Sequence, residues 1–158
     1  MENQEKIKNF RQLLEVAKRG DEEHIVYKYK KEATNKEPEY IEVKYKNFKQ
    51  EIKRLSTTLL HLGLENKKIV LVGNNRYEWC LSYLSITTGN MTVVPLDRAL
   101  PDNELEMLIK RSEATAVIFE NKHKDLIEKI IEEQPSVKVA INMDDQEAWK
   151  ELLQKGEE

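Results

Sequence analysis

Four short apolar runs, each followed by a stretch long enough for a helix, constrain this chain more than any other feature. The runs at 69–72, 91–94, 115–119 and 137–141 begin about 22–24 residues apart. That interval holds one strand and one short crossover helix, and the intervening segments 76–88, 101–111, 123–133 and 145–154 read as those helices. Strands joined through helices run parallel, so the spacing predicts a mainly parallel sheet with helices on both faces, a three-layer α/β arrangement. The runs IVLV, TVV and AVIF are continuous rather than alternating, as expected for strands covered on both faces. Pro101 stands where it would open a helix, ahead of Asp102 and Glu104, whose charges favour the positive helix end.

The residues before these units read differently. Ile7, Phe10, Leu13, Leu14 and Ala17 fall at helical spacing over 7–19, and Lys18, Arg19 and Gly20 read as the helix end. The segments 24–30 and 39–45 alternate apolar with polar residues and predict a small antiparallel ribbon, connected through 32–38. In it Ile25, Tyr27 and Tyr29 share one face, and Ile41, Val43 and Tyr45 oppose Tyr40, Glu42 and Lys44. A helix over 46–62 follows, with the stripe Phe48, Ile52, Leu55, Leu59 and Leu62, and Gly63 ends it. One domain is expected over 1–158, with the helix and ribbon in 1–45 and the repeated βα units in 46–158.

Charge narrows the function. Charged residues make up 35 % of the chain, yet the net charge is only -3 and the two signs are interspersed. A polyanion binder gathers its bases on one face, so nucleic acid is not an expected partner. Tyr27, Tyr29, Tyr40 and Tyr45 interleave with lysines, but Glu32, Glu37, Glu39 and Glu42 neutralise the same region. Cys80 is the sole cysteine and allows no intramolecular disulfide. No window approaches the roughly 18 apolar residues of a membrane span, and the charged residues 1–8 are unlike a signal peptide. A cytoplasmic protein with no transmembrane segment is expected.

No residue is assigned to catalysis or to a metal, and the cofactor-binding residues stay undefined. Gly73-Asn74-Asn75-Arg76 ends the first run of the repeat, where parallel sheets gather ligands. It is neither G-x-G-x-x-G nor a phosphate loop, and Gly73 reads first as a turn. His24, His61 and His123 are scattered without the spacing of a ligand set and read as surface or half-buried. Cys80 reads as apolar packing. The pairs Glu104/Glu106, Glu132/Glu133 and Asp144/Asp145 read as solvated faces. Trp79 and Tyr83 share a helical face and read as core anchors on the sheet, a surface that would also suit a cleft.

Several strings together resemble the N-terminal portion of adenylate-forming acyl-CoA synthetases, the AMP-dependent synthetase and ligase family, nearest to the long-chain fatty-acid–CoA ligases. They are Tyr40-Ile41-Glu42-Val43-Lys44-Tyr45, Lys68 through Arg76, Tyr77-Glu78-Trp79, Gly89 through Asp97 with Leu100-Pro101, and Ser112 through Phe119. The resemblance covers about 24–133. It implies an ATP-dependent ligase that makes an acyl-adenylate and passes the acyl group to coenzyme A, with ATP, Mg2+ and coenzyme A as the parent's cofactors. The family's Ser/Thr/Gly-rich phosphate loop and catalytic lysine have no counterpart in this sequence, so the resemblance implies an inactive N-terminal fragment. Its partners would be the rest of the ligase, a fatty-acid substrate of the parent, and a second copy in a homodimer. The alternative is a stand-alone small-ligand or protein-interaction module without catalysis.

Overall fold

In the computed structural model, residues 7–16, 22–30 and 39–157 are described. The chain divides into two compact units, Met1–Gln50 and Glu51–Glu158.

In the first unit, helix α1 (Phe10–Val16) precedes the antiparallel strands β1 (Ile25–Lys30) and β2 (Tyr40–Lys44). The ribbon is as expected, with one irregularity. A register shift between Ile25 and Tyr27 breaks the alternation, leaving Ile25 exposed while Tyr27 and Tyr29 are half-buried. The predicted helix end at Ala17–Gly20 and the connection 32–38 lie outside the described residues. Tyr45, expected in the strand, instead begins helix α2 (Tyr45–His61), and its hydroxyl donates to the Leu14 carbonyl at 2.6 Å. Burial from that position holds the Tyr45 phenol above its ordinary pKa.

Within the second unit α2 buries Ile52, Leu55 and Leu59, three members of the predicted stripe. Leu62 departs from it, because the helix has already ended and the side chain is exposed. Gly63 adopts φ +76°, its N–H bonding back to Leu60 and that of Leu64 to Leu59. This is the left-handed cap that glycine supplies without strain.

Strand β3 (Lys68–Val72), helix α3 (Tyr77–Thr88), strand β4 (Thr92–Leu96), helix α4 (Asp102–Ser112) and strand β5 (Ala116–Phe119) then alternate. A 3-10 turn at Asn121–His123 leads into helix α5 (Lys124–Glu133), strand β6 (Val139–Asn142) and helix α6 (Gln146–Lys155). Pro101 is the N-cap residue rather than the first helical one. The four strands are all parallel in the order β4-β3-β5-β6. β3 therefore has its successor on one side and β5 on the other, and right-handed crossovers send α3 to one face and α4 and α5 to the opposite face.

The core agrees. Val70, Val72, Val117 and Phe119 pack with Leu105 and Ile109 of α4 and Leu126, Ile127 and Ile130 of α5. The alternate residues Ile69, Leu71 and Ile118 are equally buried, so both faces of the central pair are covered. The expectation fails for TVV: β4 is an edge strand, with Thr92 and Pro95 exposed and Val93 and Val94 only partly buried. An edge is where a proline costs no ladder bond. α6 closes against α2 inside the same unit: Thr58 donates to the Leu152 carbonyl, and Arg54 is ion-paired with Glu157. Gly156 lies so near the Arg54 carbonyl that any side chain there would collide with backbone.

Candidate functional site

Parallel strands bring their carboxyl ends to one edge, and the loops that leave them meet there. Gly73, Asn74 and Asn75 after β3 and Leu96, Asp97 and Arg98 at the end of β4 line a cavity of about 370 Å3, with Trp79 of α3 as one wall. The cavity lies between the carboxyl ends of the adjacent strands β3 and β4. The Trp79 ring stacks on Tyr83, with centroids 5.5 Å apart.

Buried charge organises this edge. Glu120, directly after β5, is only 5 % exposed. Its Oε2 accepts from the backbone N–H and side-chain amide of Asn74, each at 3.0 Å, and its Oε1 lies 3.4 Å from the Arg98 guanidinium. One carboxylate thus fixes residues on both sides of the cavity. Such an acceptor, satisfied by two N–H groups and a cation, is the usual condition for a buried carboxylate. Next to it, Arg76 donates from Nε to Glu78 at 2.6 Å and from Nη1 to Asp144. Asp144 also accepts from the Asn121 N–H at 2.6 Å. Burial alone would lower the Arg76 pKa, but the hydrogen bonds and charges of Glu78 and Asp144 outweigh it, so the guanidinium stays firmly charged.

With Arg76 and Arg98 held by carboxylates and Lys122 donating to the Arg98 carbonyl at 2.9 Å, the arrangement orders loops and shapes a pocket. The sequence profile of the AMP-binding enzyme family matches residues 14–158. This chain belongs to that family. Within it, the chain is 30 % identical over 121 residues to long-chain-fatty-acid–CoA ligase 5 of Rattus norvegicus, covering 73 % of this chain and 17 % of that protein. Among solved structures it resembles the A-PCP didomain of carboxylic acid reductase from Segniliparus rugosus in complex with AMP. There the TM-score is 0.76 at 14 % identity, over 98 % of this chain and 24 % of the other. MbtA of Mycobacterium smegmatis gives 0.73 at 17 % identity, over 92 % and 27 %. These likenesses establish the shared fold.

In this AMP-binding family chain, the residues singled out from sequence fall in several places. Gly73 lies at the cavity, where an added Cβ would come 2.6 Å from the Met143 methyl, and so combines turn and lining. Trp79 and Tyr83 are half-buried and off the face that α3 presents to the sheet, which carries Tyr77, Leu81, Ser82, Ser85 and Ile86. Trp79 is a cavity wall with Tyr83 stacked on it, rather than a pair of core anchors, because small serines occupy the contact positions. Cys80 is half-buried. His24 and His61 are exposed as expected, but His123 is 1 % exposed, contrary to the surface or half-buried reading.

Of the carboxylate pairs, Glu104, Glu132 and Glu133 are exposed. Glu106 bonds Lys129 at 3.0 Å, and Asp145 caps α6 through the Ala148 N–H. Asp144 is different, being drawn into the Arg76 cluster. Sequence reasoning missed Glu120 and Arg98. The available signal was a carboxylate continuing the apolar run AVIF without a turn residue between. Among the described residues, no group of three or more His, Cys, Asp or Glu could hold a metal ion.

Proposed function

We propose that this chain is the N-terminal scaffold of an ATP-dependent long-chain fatty-acid–CoA ligase. The family match over residues 14–158 carries this reading, and the 30 % identity to a protein named as a fatty-acid–CoA ligase supports the choice of acid. On this reading, a carboxylate oxygen attacks the α-phosphorus of ATP and pyrophosphate departs. The thiol of coenzyme A then displaces AMP to give the thioester.

The residues of this chain do not fit the ATP–Mg2+ pair. Arg76 and Arg98 are already engaged by Glu78, Asp144 and Glu120, and one glycine at position 73 cannot converge several amides on a phosphate. No reaction step is therefore assigned to them. Their task is to hold the strand ends and the cavity in place beside sites supplied by the rest of the ligase, the chain's partner on this reading. Interspersed charge and a lone cysteine favour the cytoplasm. Among the described residues no helix is long and apolar enough to cross a membrane.

The test is to express the longest reading frame containing these 158 residues and measure carboxylate-dependent ATP–pyrophosphate exchange. Stimulation by palmitate above acetate and benzoate is expected. Preference for an aryl or short acid would overturn the fatty-acid assignment, and no exchange with any acid would overturn adenylation. The cavity at Gly73 and Arg98 favours a second reading, a small-ligand module. Micromolar binding of ATP, AMP, coenzyme A or palmitate to the 158-residue chain by calorimetry would support it.

A further inference from the structure

His123 ends the 3-10 turn between β5 and α5 and is 1 % exposed, yet neither ring nitrogen has a hydrogen-bond partner. Buried polar atoms are nearly always partnered, so this ring is held at a cost by the packing around it. A neutral imidazole leaves one donor and one acceptor unsatisfied here, and protonation would add a charge and a second unsatisfied donor.

The position gives the ring leverage. Its backbone N–H bonds the Glu120 carbonyl at 2.9 Å, and Glu120 in turn holds Asn74 and Arg98 at the cavity. The charged groups facing the ring are Lys122 in the turn, Glu120 at the end of β5, Asp102 of α4 and Arg98 after β4. Burial first, then Lys122, hold the His123 pKa below its ordinary value, with Glu120 and Asp102 opposing in part.

We propose that the turn carrying His123 is an acid-operated latch on the cavity. Protonation of the ring favours a form in which 120–124 opens to water, Glu120 withdraws from Asn74 and Arg98, and the cavity wall loosens. In the open form the ring has an ordinary pKa of about 6.5, and in the closed form a lower one. The opened form therefore binds more protons, so closure is complete above about pH 6.5 and weakens as the pH falls below it. Opening rises by up to about tenfold between pH 7.5 and 5.5.

Hydrogen exchange of the 158-residue chain at pH 7.5 and 5.5, normalised for the intrinsic pH dependence of exchange, tests this directly. Wild type should lose up to about tenfold protection in 119–127 at the lower pH, while the buried turns of α2 keep theirs. His123→Leu should keep protection at both. Unchanged wild type, or an equal loss in His123→Leu, would overturn the latch. Should His123→Leu fail to fold, a ring-carbon NMR titration of wild type decides. A His123 midpoint below the ordinary imidazole value, with the Asn74 and Arg98 amide signals moving at that same midpoint, supports the latch, and a midpoint at the ordinary value or unmoved amides overturns it.

Discussion

Helices α5 and α3 flank opposite faces of the same sheet, and only one of them displays in sequence which side faces inward. In α5 the buried Leu126, Ile127 and Ile130 are set among Lys124, Asp125, Glu128, Lys129, Glu132 and Glu133. Charge marks the outside, with Ile131 the one exposed aliphatic there, so the inside follows. In α3 the segment YEWCLSYLSITT is apolar almost all round, and its two largest rings do not take the inward face. Ser82 and Ser85 do, both fully buried, with their hydroxyls donating back to the Glu78 and Leu81 carbonyls at 2.7 Å. Small residues whose polar atoms are satisfied within the helix allow close approach to the sheet, whereas bulk identifies a core residue only where polar neighbours exclude the alternatives.

The comparison makes the two helices equal at their buried aliphatics and unequal at their aromatics. Ile127→Ala in α5 and Leu81→Ala in α3, both fully buried, should each cost about 2–5 kcal/mol in urea unfolding. A Leu81→Ala loss under about 1 kcal/mol would show that α3 is not docked as described. Trp79→Ala should cost less, about 1–2 kcal/mol, because a half-buried ring forfeits only part of the 3–5 kcal/mol of a core tryptophan. A loss as large as that of a core ring would return Trp79 to the sheet face. Smallest of the four, Ser85→Ala should change stability by no more than about 1 kcal/mol, since removing the hydroxyl strands no buried donor and leaves the Leu81 carbonyl to the backbone bonds of its own helix. A larger loss would mean that the hydroxyl has a second role.

The parallel sheet was legible because β3 and β5 carry unbroken apolar runs at a spacing that only crossover helices fill. The coverage of β4 was not, because sequence order does not reveal which strand becomes the edge. Much of the cavity floor was also visible, as Gly73 and its neighbours end the first strand of the repeat. The carboxylate that fixes it was marked only by its place directly after AVIF. Glu120 is one of 29 acidic residues scattered along the chain, and its partner Asn74 lies 46 positions away. His123 was hidden for the same reason, since burial of a lone polar residue is decided by elements remote in sequence. Family membership was legible from strings such as YEW in α3 and VVPLD at the end of β4, whose Trp79, Leu96 and Asp97 line the cavity.

On the proposed function, this chain shapes a fold and a cavity while phosphate chemistry falls to the rest of a longer ligase. Fatty-acid-dependent ATP–pyrophosphate exchange by the purified 158-residue chain, shown to unfold cooperatively and freed of host ligase, tests it most directly. Exchange at background with every acid is the predicted result. Exchange that rises in proportion to the concentration of the chain, and falls when palmitate is withheld, would contradict it.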